Sequence, residues 1–168
     1  TLETFPGSKI IYGDTDSIFV KFILKTQQTP GMSDEDFDKA CMEECFRLGT
    51  EAADGVTKGI ARFPLRIELE KVFYVFVLLS KKRYSGIVCL VPDPKKGKRK
   101  DSGSVLKRRD NARLTKHFCG GVMDQLLDRV DRGDEIWFHV EQAIIKTFSG
   151  QFPMEYFIKT ASLKGQYK

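Results

Sequence analysis

The first regular pattern in the chain is a pair of apolar runs separated by a short acidic turn. Residues 10–12 and 18–20 carry β-branched and aromatic side chains, which are typical of β-strands. Gly13 and the acidic residue that follows it supply turn chemistry. The pattern therefore predicts a β-hairpin with strands at about 8–12 and 17–24 and an acidic tip.

A helix is predicted after the polar loop that contains Pro30 and Gly31. Ser33, with Asp36 three residues later, fits a capping pair at a helix N-terminus. Beyond this pair, apolar residues recur at helical spacing, which predicts an amphipathic helix. Its predicted core-facing stripe consists of Phe37, Cys41, Cys45, Leu48, Ala52 and Val56.

The rest of the chain divides into a strand-rich part and a helical part. Three apolar segments are predicted to be further strands of the same sheet, giving it about five strands, and they lie at 65–69, 72–79 and 84–91. Two amphipathic helices are predicted at 111–130 and 134–148. We therefore predict an α+β fold, in which an antiparallel sheet with a packed helix is followed by a helical portion, with a boundary near residue 104.

Length and composition restrict the class of protein. With 168 residues, of which 41% are hydrophobic, the chain can form an ordinary globular core. It contains no run of eighteen apolar residues and no targeting segment at Thr1–Thr4, so we predict no membrane association. The chain lacks an initial Met and reaches a strand within ten residues, so we expect a segment of a longer protein. Its four scattered cysteines favour reduced structural thiols in an intracellular protein.

The net charge of +5 is unevenly distributed. Residues 81–109 contain eleven Lys or Arg against two Asp, an excess of nine positive charges, so the remainder of the chain is acidic. A basic segment beside an acidic remainder is typical of a nucleic-acid surface next to a metal site. For Lys95–Lys100, which lies among Pro and Gly residues, a solvated loop is an equally good interpretation.

The acidic turn has the chemistry of a hard-cation site. In an extended segment, residues two apart project to the same side, so Asp14 and Asp16 can converge on one point. Two carboxylates at one point repel each other unless a cation lies between them, and Mg²⁺, which takes oxygen ligands, suits such a pair. The alternative is a solvated acidic turn, which is the more frequent meaning of an isolated Asp-x-Asp.

Two other groups of charged residues accompany the turn. Glu68 and Glu70 alternate with apolar residues, so on a strand they would share a face and could join the metal site. An exposed polar sheet face is the alternative for these acids. The segment Lys81–Tyr84 joins three cations to an aromatic ring, which suits phosphate contacts, although an edge strand protected by lysine has a similar composition.

Four motifs follow one another in a characteristic order. They are Tyr12–Ser17 (YGDTDS), Glu68–Val72 (ELEKV), Lys81–Tyr84 (KKRY) and Arg108–Asn111 (RRDN). In this order the chain resembles family B DNA-directed DNA polymerases, and most closely the delta-type enzymes, including those of large DNA viruses. The resemblance covers nearly the whole chain. It implies that residues 1–104 form the C-terminal part of a polymerase palm, from the motif called C, and that residues 105–168 form the N-terminal part of a thumb.

The resemblance also implies roles for individual residues. Asp16 matches the family's metal-liganding aspartate and Asp14 matches its acidic companion, with the rest of the turn in support, namely Tyr12, Gly13, Thr15 and Ser17. Glu68 and Glu70 match acids near an accessory metal position. The positions that match DNA-binding residues are Lys81, Lys82, Arg83, Tyr84, Arg108, Arg109 and Asp110. One departure is visible, because Ser102–Val105 stands where the family usually has Lys-Gly and then an acidic residue.

The activity implied by the resemblance is primer extension from deoxynucleoside triphosphates by two-metal nucleotidyl transfer. The cofactor would be Mg²⁺, in a site completed by an aspartate outside this chain. The implied partners are primer–template DNA, a dNTP, the remainder of the polymerase chain and, as a candidate, a sliding clamp, in the nucleus or at a viral replication site. The family's Asp-x-x-Ser-Leu-Tyr-Pro motif and nucleotide-binding lysine helix are not found in this sequence, so we expect the isolated segment to be inactive.

Two other functions remain open from the residues alone. A divalent-metal glycosyltransferase would use Asp14 and Asp16 to hold a nucleotide-sugar diphosphate, but it leaves the basic residues 81–109 unexplained. A noncatalytic nucleic-acid-binding module would use that basic segment and Tyr84 without needing Asp16. Affinity for primer–template DNA that falls steeply with salt would speak against the glycosyltransferase.

Overall fold

The computed structural model of the chain describes residues 4–59, 64–128 and 133–161. Within these ranges there are five β-strands and three α-helices, and the strands form two antiparallel sheets. The predicted α+β fold class is therefore confirmed. None of the helices in the same ranges has the length and apolar character needed to cross a membrane.

The predicted hairpin is formed by strands β1 (Lys9–Asp14) and β2 (Ser17–Lys21), which pair in antiparallel orientation. The two strands are joined by the two-residue loop Thr15–Asp16. Thr15 has a φ of 29°, which is uncommon for a β-branched residue. The loop that carries the candidate acids is therefore a tight one with a constrained backbone.

Strand β1 is interrupted by a bulge. Ile10 pairs with Val20 and Tyr12 pairs with Phe19, so Ile11 is an extra residue in β1. Cross-strand partners share a face of the sheet, and the rings of Tyr12 and Phe19 lie 5.3 Å apart between centroids. As a result, Ile10 and Tyr12 lie on opposite faces although they are two residues apart.

Helix α1 (Asp34–Gly59) begins at the predicted capping pair. Ser33 Oγ donates to the Asp36 carboxylate at 2.7 Å and accepts from the Asp36 backbone N–H at 3.1 Å. The side chains of the predicted stripe are only half-buried, and the most buried positions are Met42, Gly49 and Ala53. The buried side of α1 is therefore centred one residue further along than predicted. The reason is that Leu69 packs against α1 at Gly49, where an added Cβ would lie 2.8 Å from Leu69 Cδ1.

The second sheet contains three strands in the order β3 (Val72–Ser80), β4 (Arg83–Cys89) and β5 (Lys98–Ser102). The prediction of a single sheet of about five strands is therefore wrong, because the hairpin strands pair only with each other within the described ranges. Strands β3 and β4 confirm two predicted strands, whereas β5 was not predicted. The predicted strand at 65–69 does not form.

The backbone around residue 67 bonds to a helix side chain and not to a neighbouring strand. The Ile67 N–H donates to Thr57 Oγ1 at 2.9 Å, and the Thr57 hydroxyl donates to the Ile67 carbonyl at 3.1 Å. Leu65 and Ile67 remain 72% and 43% exposed. The alternating pattern at 65–69 therefore belongs to an extended segment along α1, in which Leu69 alone is turned inward to contact Gly49.

Two helices follow as predicted, α2 (Arg113–Leu127) and α3 (Gly133–Phe148). They approach closely at Gly121, where an added Cβ would lie 2.1 Å from His139 Nε2. The buried residues of this helix pair are Met123, Leu127 and Ala143. Short 3-10 helices at Pro94–Lys96 and Met154–Phe157 complete the elements in the described ranges.

Backbone contacts divide the chain into two compact units. The first combines Thr1–Tyr74 with Val88–Lys98, and the second combines Val75–Ile87 with Arg99–Lys168. The hairpin and α1 therefore belong to the first unit, and α2 and α3 belong to the second. The palm and thumb portions implied by the resemblance, with their boundary near residue 104, stay a prediction.

None of the four cysteines forms a disulfide, which agrees with the predicted structural thiols. Burial raises the pKa of the Cys45 and Cys89 thiols. A raised pKa keeps these sulfurs protonated and weakly nucleophilic, so they serve as small apolar groups in the fold.

Candidate metal and nucleic-acid site

Asp14 is held by hydroxyl groups at the end of β1. Its half-buried carboxylate accepts hydrogen bonds from the Tyr12 hydroxyl and from Thr15 Oγ1, each at 3.2 Å. Ser17 Oγ donates to the Asp14 backbone carbonyl at 3.4 Å. The Tyr, Thr and Ser of the hexapeptide therefore restrain Asp14 and the loop that follows it.

Asp16 has a different environment from Asp14. It is exposed in the loop, and it forms no side-chain hydrogen bond or ion pair with any residue that the structure describes. Because Asp16 lies in the loop, its direction is set by the turn and not by the strand alternation used in the prediction. Behind the loop, the Phe19 ring packs on Phe73 with centroids 5.7 Å apart, which fixes the hairpin on the first unit. The Asp16 carboxylate is therefore open to an external ligand.

The hairpin tip offers carboxylate oxygens but not a complete ligand set. Among residues 4–59, 64–128 and 133–161, no group of three or more His, Cys, Asp or Glu side chains is placed to hold a metal ion. Mg²⁺ is usually held by one or two carboxylates together with water and substrate phosphates. Asp14 and Asp16 fit this mode of binding, in which the protein supplies only part of the coordination shell.

Glu68 and Glu70 share an exposed side of the segment that precedes β3. Their side chains are 63% and 72% exposed, while Leu69 between them faces Gly49. The shared side was predicted from the alternation, although the segment is not a strand. Glu68 forms an ion pair with Arg66 at 2.7 Å, and Glu70 forms one with Lys71. The Arg66–Glu68 pair is exposed on both sides and contributes little to stability, so Glu68 can exchange partners. The other pair joins the exposed Glu70 to Lys71, whose side chain is only 13% exposed.

The segment Lys81–Tyr84 forms the turn between β3 and β4. Lys81 and Lys82 are the two loop residues, and both are exposed, as is Arg83 at the start of β4. Lys82 has a φ of 63°, in the left-handed region. Tyr84 is half-buried, and its ring lies 5.4 Å from that of Phe76 between centroids. Three cations therefore project from a turn that an aromatic pair anchors to the sheet.

Part of the basic segment is neutralised within the fold. Lys95 Nζ lies 2.5 Å from a carboxylate oxygen of Glu35 at the start of α1, and Lys96 Nζ lies 3.4 Å from one of Asp93. The hydrogen bond to Glu35 raises the pKa of Lys95. The Lys95 and Lys96 side chains are 70% and 72% exposed, so these pairs contribute little to stability and both cations can exchange partners. The solvated-loop and nucleic-acid interpretations of this stretch therefore both stay open.

The paired arginines of the RRDN motif differ in their contacts. Arg108 binds Asp110 through Nε at 3.2 Å and Nη2 at 3.1 Å, and this pair lowers the pKa of Asp110. Arg109 is exposed, and its backbone carbonyl accepts a hydrogen bond from Thr160 Oγ1 at 3.1 Å. Asn111 closes the segment by donating from Nδ2 to the Val105 carbonyl at 3.1 Å. The motif is therefore held by one backbone group, the Arg109 carbonyl, and by the side chain of Asn111.

Two residues next to the Lys81–Tyr84 turn were missed by sequence reasoning. Ser85 is fully buried, and its hydroxyl donates to Asp101 Oδ1 at 2.6 Å. Gly103 lies against the turn, with its ideal Cβ position 2.1 Å from the Lys82 carbonyl oxygen. Sixteen or more residues separate the members of each contact, so no local pattern could reveal them.

Comparison with known proteins agrees with the motifs. Residues 3–168 match the model of DNA polymerase family B. A DNA polymerase of Pyramimonas orientalis virus is 37% identical over 99% of this chain and 13% of its own length. A DNA polymerase of Paramecium bursaria Chlorella virus NY2A is 35% identical over 99% of this chain and 17% of its own length. The DNA polymerase delta catalytic subunit of Candida albicans is 36% identical over 74% of this chain and 10% of its own length.

The chain thus spans between about a tenth and a sixth of the length of these curated relatives. The family match runs through every motif of the site, from the acidic hairpin to the RRDN segment. It includes both viral and delta-type relatives, as the resemblance implied. This chain belongs to DNA polymerase family B.

Proposed function

We propose that this chain supplies the metal-liganding turn and part of the duplex-binding surface of a DNA-directed DNA polymerase. The longer protein would extend a primer by nucleotidyl transfer from deoxynucleoside triphosphates. The observation that carries this proposal is the hairpin tip, where Asp16 is exposed and without a described partner beside a restrained Asp14. Membership of the family supports it further.

We assign Asp16 as the direct metal ligand and Asp14 as its support. Two hydroxyl groups already bind the oxygens of Asp14, whereas the oxygens of Asp16 are available. Glu68 and Glu70 are assigned to an accessory metal position, and the remaining liganding aspartate is placed elsewhere in the longer polymerase. When bound, a pair of divalent metals such as Mg²⁺ stabilises the charge on the attacking and leaving oxygens of the transfer. The contribution of this chain is to hold anionic oxygens at a fixed turn.

The duplex-binding surface that we assign begins at the Lys81–Tyr84 turn. Lys81 and Arg83 are exposed, and neither forms an ion pair with a carboxylate in the described part of the chain. Cations in this state suit the phosphate backbone, which supplies most of the sequence-independent affinity of a DNA-binding protein. Tyr84 holds the turn through Phe76. Arg108, Arg109 and Asp110 are assigned to the primer side, with the Arg108–Asp110 pair orienting the segment.

The metal assignment is tested by comparing two isosteric substitutions in a longer polymerase that contains these residues. Asp16→Asn removes the charge of the exposed ligand, and we expect primer extension to fall by at least about 100-fold, the loss seen when one electrostatic contact to a transition state is removed. Tyr12 and Thr15 donate to different oxygens of Asp14, so Asp14→Asn keeps only one of the two acceptors, but it removes no direct ligand and a smaller loss is expected. Binding of primer–template DNA should change little in either variant. Equal losses, or full extension by Asp16→Asn, would overturn the assignment.

The duplex surface and the inactivity of the segment are tested with the 168-residue chain itself. Fluorescence anisotropy should show binding of primer–template DNA that weakens steeply as salt increases. Lys81→Ala and Arg83→Ala should each weaken binding across sequences and lower the salt slope by about one. The chain alone should not extend a primer, and detectable templated extension would contradict that expectation. Retained binding of a nucleotide sugar without affinity for DNA would favour a glycosyltransferase, which no comparison favours.

The partners and location of the longer protein follow from the same proposal. The substrates would be primer–template DNA and a dNTP, and the closest structural partner would be the remainder of the polymerase chain. The similarity to viral and delta-type polymerases supports the proposal of a location inside the cell, in the nucleus or at a viral replication site. A sliding clamp stays a prediction based on the resemblance.

A further inference from the structure

We propose that Asp101 and Gly103 are positioning residues, which hold the Lys81–Tyr84 turn in the conformation that grips duplex DNA. This inference rests on the proposed duplex-binding role of the turn. Both residues lie in the same compact unit as the turn, at the end of β5 and just beyond it. Neither belongs to the four motifs that carry the resemblance.

The turn needs external support because its backbone is unfavourable. Lys82 adopts a φ of 63°, a left-handed conformation that residues with a Cβ rarely occupy. Such conformations persist when the surrounding structure over-determines them. Asn and Asp tolerate this region more readily than Lys, because their short side chains can hydrogen-bond to the local backbone.

Gly103 supplies one support by direct contact with the turn backbone. Its Cβ, if it had one, would lie 2.1 Å from the carbonyl oxygen of Lys82 and 3.4 Å from Cγ of Arg83. Gly103 also has a φ of 56°, so glycine is suited to this position by conformation as well as by space. The backbone at Gly103 therefore lies directly against the turn, and a side chain added there would displace Lys82.

Asp101 supplies the second support through Ser85, which is the first buried residue of β4. It accepts a hydrogen bond from Ser85 Oγ at 2.6 Å, and its own side chain is only 13% exposed. Arg99 Nε lies 3.1 Å from the same carboxylate, and Arg99 Nη1 also pairs with Asp124 of α2. Ser85 directly follows the Lys81–Tyr84 turn, so a chain of charge-assisted contacts joins the turn to helix α2.

The experiment measures binding of primer–template DNA by the 168-residue chain, as affinity and as the slope of log affinity against log salt. We expect Asp101→Asn and Gly103→Ala each to lower the slope by about 0.9, which corresponds to one phosphate contact and to about eightfold weaker binding at about 0.1 M salt. The sign for Asp101→Asn is diagnostic. Removing a negative charge should strengthen binding to a polyanion if charge alone mattered, whereas loss of positioning weakens it.

Matched controls separate positioning from general damage. Gly150→Ala introduces a Cβ at a φ of 70° with no atom within 4 Å, so it carries the backbone penalty of Gly103→Ala without the contact. Asp54→Asn removes an exposed carboxylate from α1. Neither control should lower the slope. A variant that is only partly folded reduces the bound amplitude but leaves the slope of the folded fraction unchanged, so the slope reports positioning.

The outcomes distinguish this inference from the function on which it rests. If Arg83→Ala weakens binding but Asp101→Asn binds as tightly as the unsubstituted chain or more tightly, the positioning role is overturned and the duplex-binding role stands. If Lys81→Ala and Arg83→Ala bind normally, or the unsubstituted chain has no affinity at 50 mM salt, both fail. Should Gly103→Ala not fold, Ser85→Ala decides. It removes the hydroxyl donor while Arg99 still pairs with Asp101, and a normal slope in that variant would overturn the inference.

Discussion

Adjacent glycines in α2 provide a sharp test of how the helix pair α2–α3 is packed. Gly120 and Gly121 both lie inside the helix, where alanine is favoured over glycine by about 1 kcal/mol. A Cβ on Gly120 would lie 3.7 Å from Leu106 Cδ2, an ordinary van der Waals contact. A Cβ on Gly121 would lie 2.1 Å from His139 Nε2 and 2.2 Å from Cε1, closer than atoms can approach.

The two substitutions should therefore change the free energy of unfolding by different amounts. Gly120→Ala gains the helix propensity and should raise the melting temperature by about 2 to 4 °C, the shift expected per kcal/mol for a chain of this size. Gly121→Ala gains the same propensity but forces the imidazole of His139 to move, and overpacking of this kind costs about 1 to 3 kcal/mol. Since the propensity cancels, Gly121→Ala should melt about 2 to 12 °C below Gly120→Ala.

Thermal unfolding monitored by circular dichroism measures this difference. Adding His139→Ala to each glycine variant completes a double-mutant cycle, and we expect a coupling free energy with Gly121→Ala but not with Gly120→Ala. His139 Nε2 is buried without a hydrogen-bond partner among the described residues, so little polar contact is lost with the ring. Equal melting temperatures for the two glycine variants, or a coupling of zero at Gly121, would refute the packing described for α2 and α3.

Three further predictions concern stability. Glu44 accepts hydrogen bonds from the Lys25 and Thr26 backbone N–H groups and from Thr26 Oγ1 at 2.5 Å. The bond from the Thr26 hydroxyl lowers the pKa of Glu44 from its ordinary value of 4.5. The stabilisation by the Glu44 carboxylate should therefore be complete above pH 4.5 and be lost as the pH falls through the lowered pKa. Chemical denaturation should show Glu44→Gln destabilised by about 1 to 3 kcal/mol at pH 7, with the difference narrowing in acid, and a difference independent of pH would contradict this. Ser104 Oγ is buried without a partner in the described ranges, so Ser104→Ala should leave the melting temperature unchanged or raise it, and a marked fall would show that the hydroxyl is bonded. Ser33→Ala removes the cap of α1 and should lower the free energy of unfolding by about 1 kcal/mol. Ser33→Asp keeps a capping oxygen and should retain most of the stability contributed by the cap.

Elements with a strong local signal were predicted from sequence. The capping pair at Ser33 and the regular apolar spacing after it defined α1, and the two later helices were found in the same way. Alternation placed Glu68 and Glu70 on one exposed side, because the inward position between them is an apolar Leu69. In each case, side chains that are close together in sequence specify the local structure.

Elements that depend on distant partners were not predicted. β5 has the sequence KRKDS, whose charges are typical of a loop, and its pairing with β4 cannot be read from its own residues. The apolar segment at 65–69 suggested a strand, but Thr57 satisfies its backbone at Ile67 instead. The site shows the same limit. The acids and cations were found from their motifs, whereas the contact of Ser85 with Asp101 required the fold.

The bulge at Ile11 has a consequence for insertions and deletions in the acidic hairpin. Because Ile11 is an extra residue, a deletion there would join Ile10 directly to Tyr12 as ordinary alternating neighbours, and Asp14 would keep its face. A deletion at Gly13 would instead place Asp14 next to Tyr12 and turn the acid to the opposite face, away from the hydroxyl that binds it. Chain length is therefore adjustable before Tyr12 and fixed after it, so an alignment gap in this hairpin is compatible with the acidic tip only on the N-terminal side of that tyrosine.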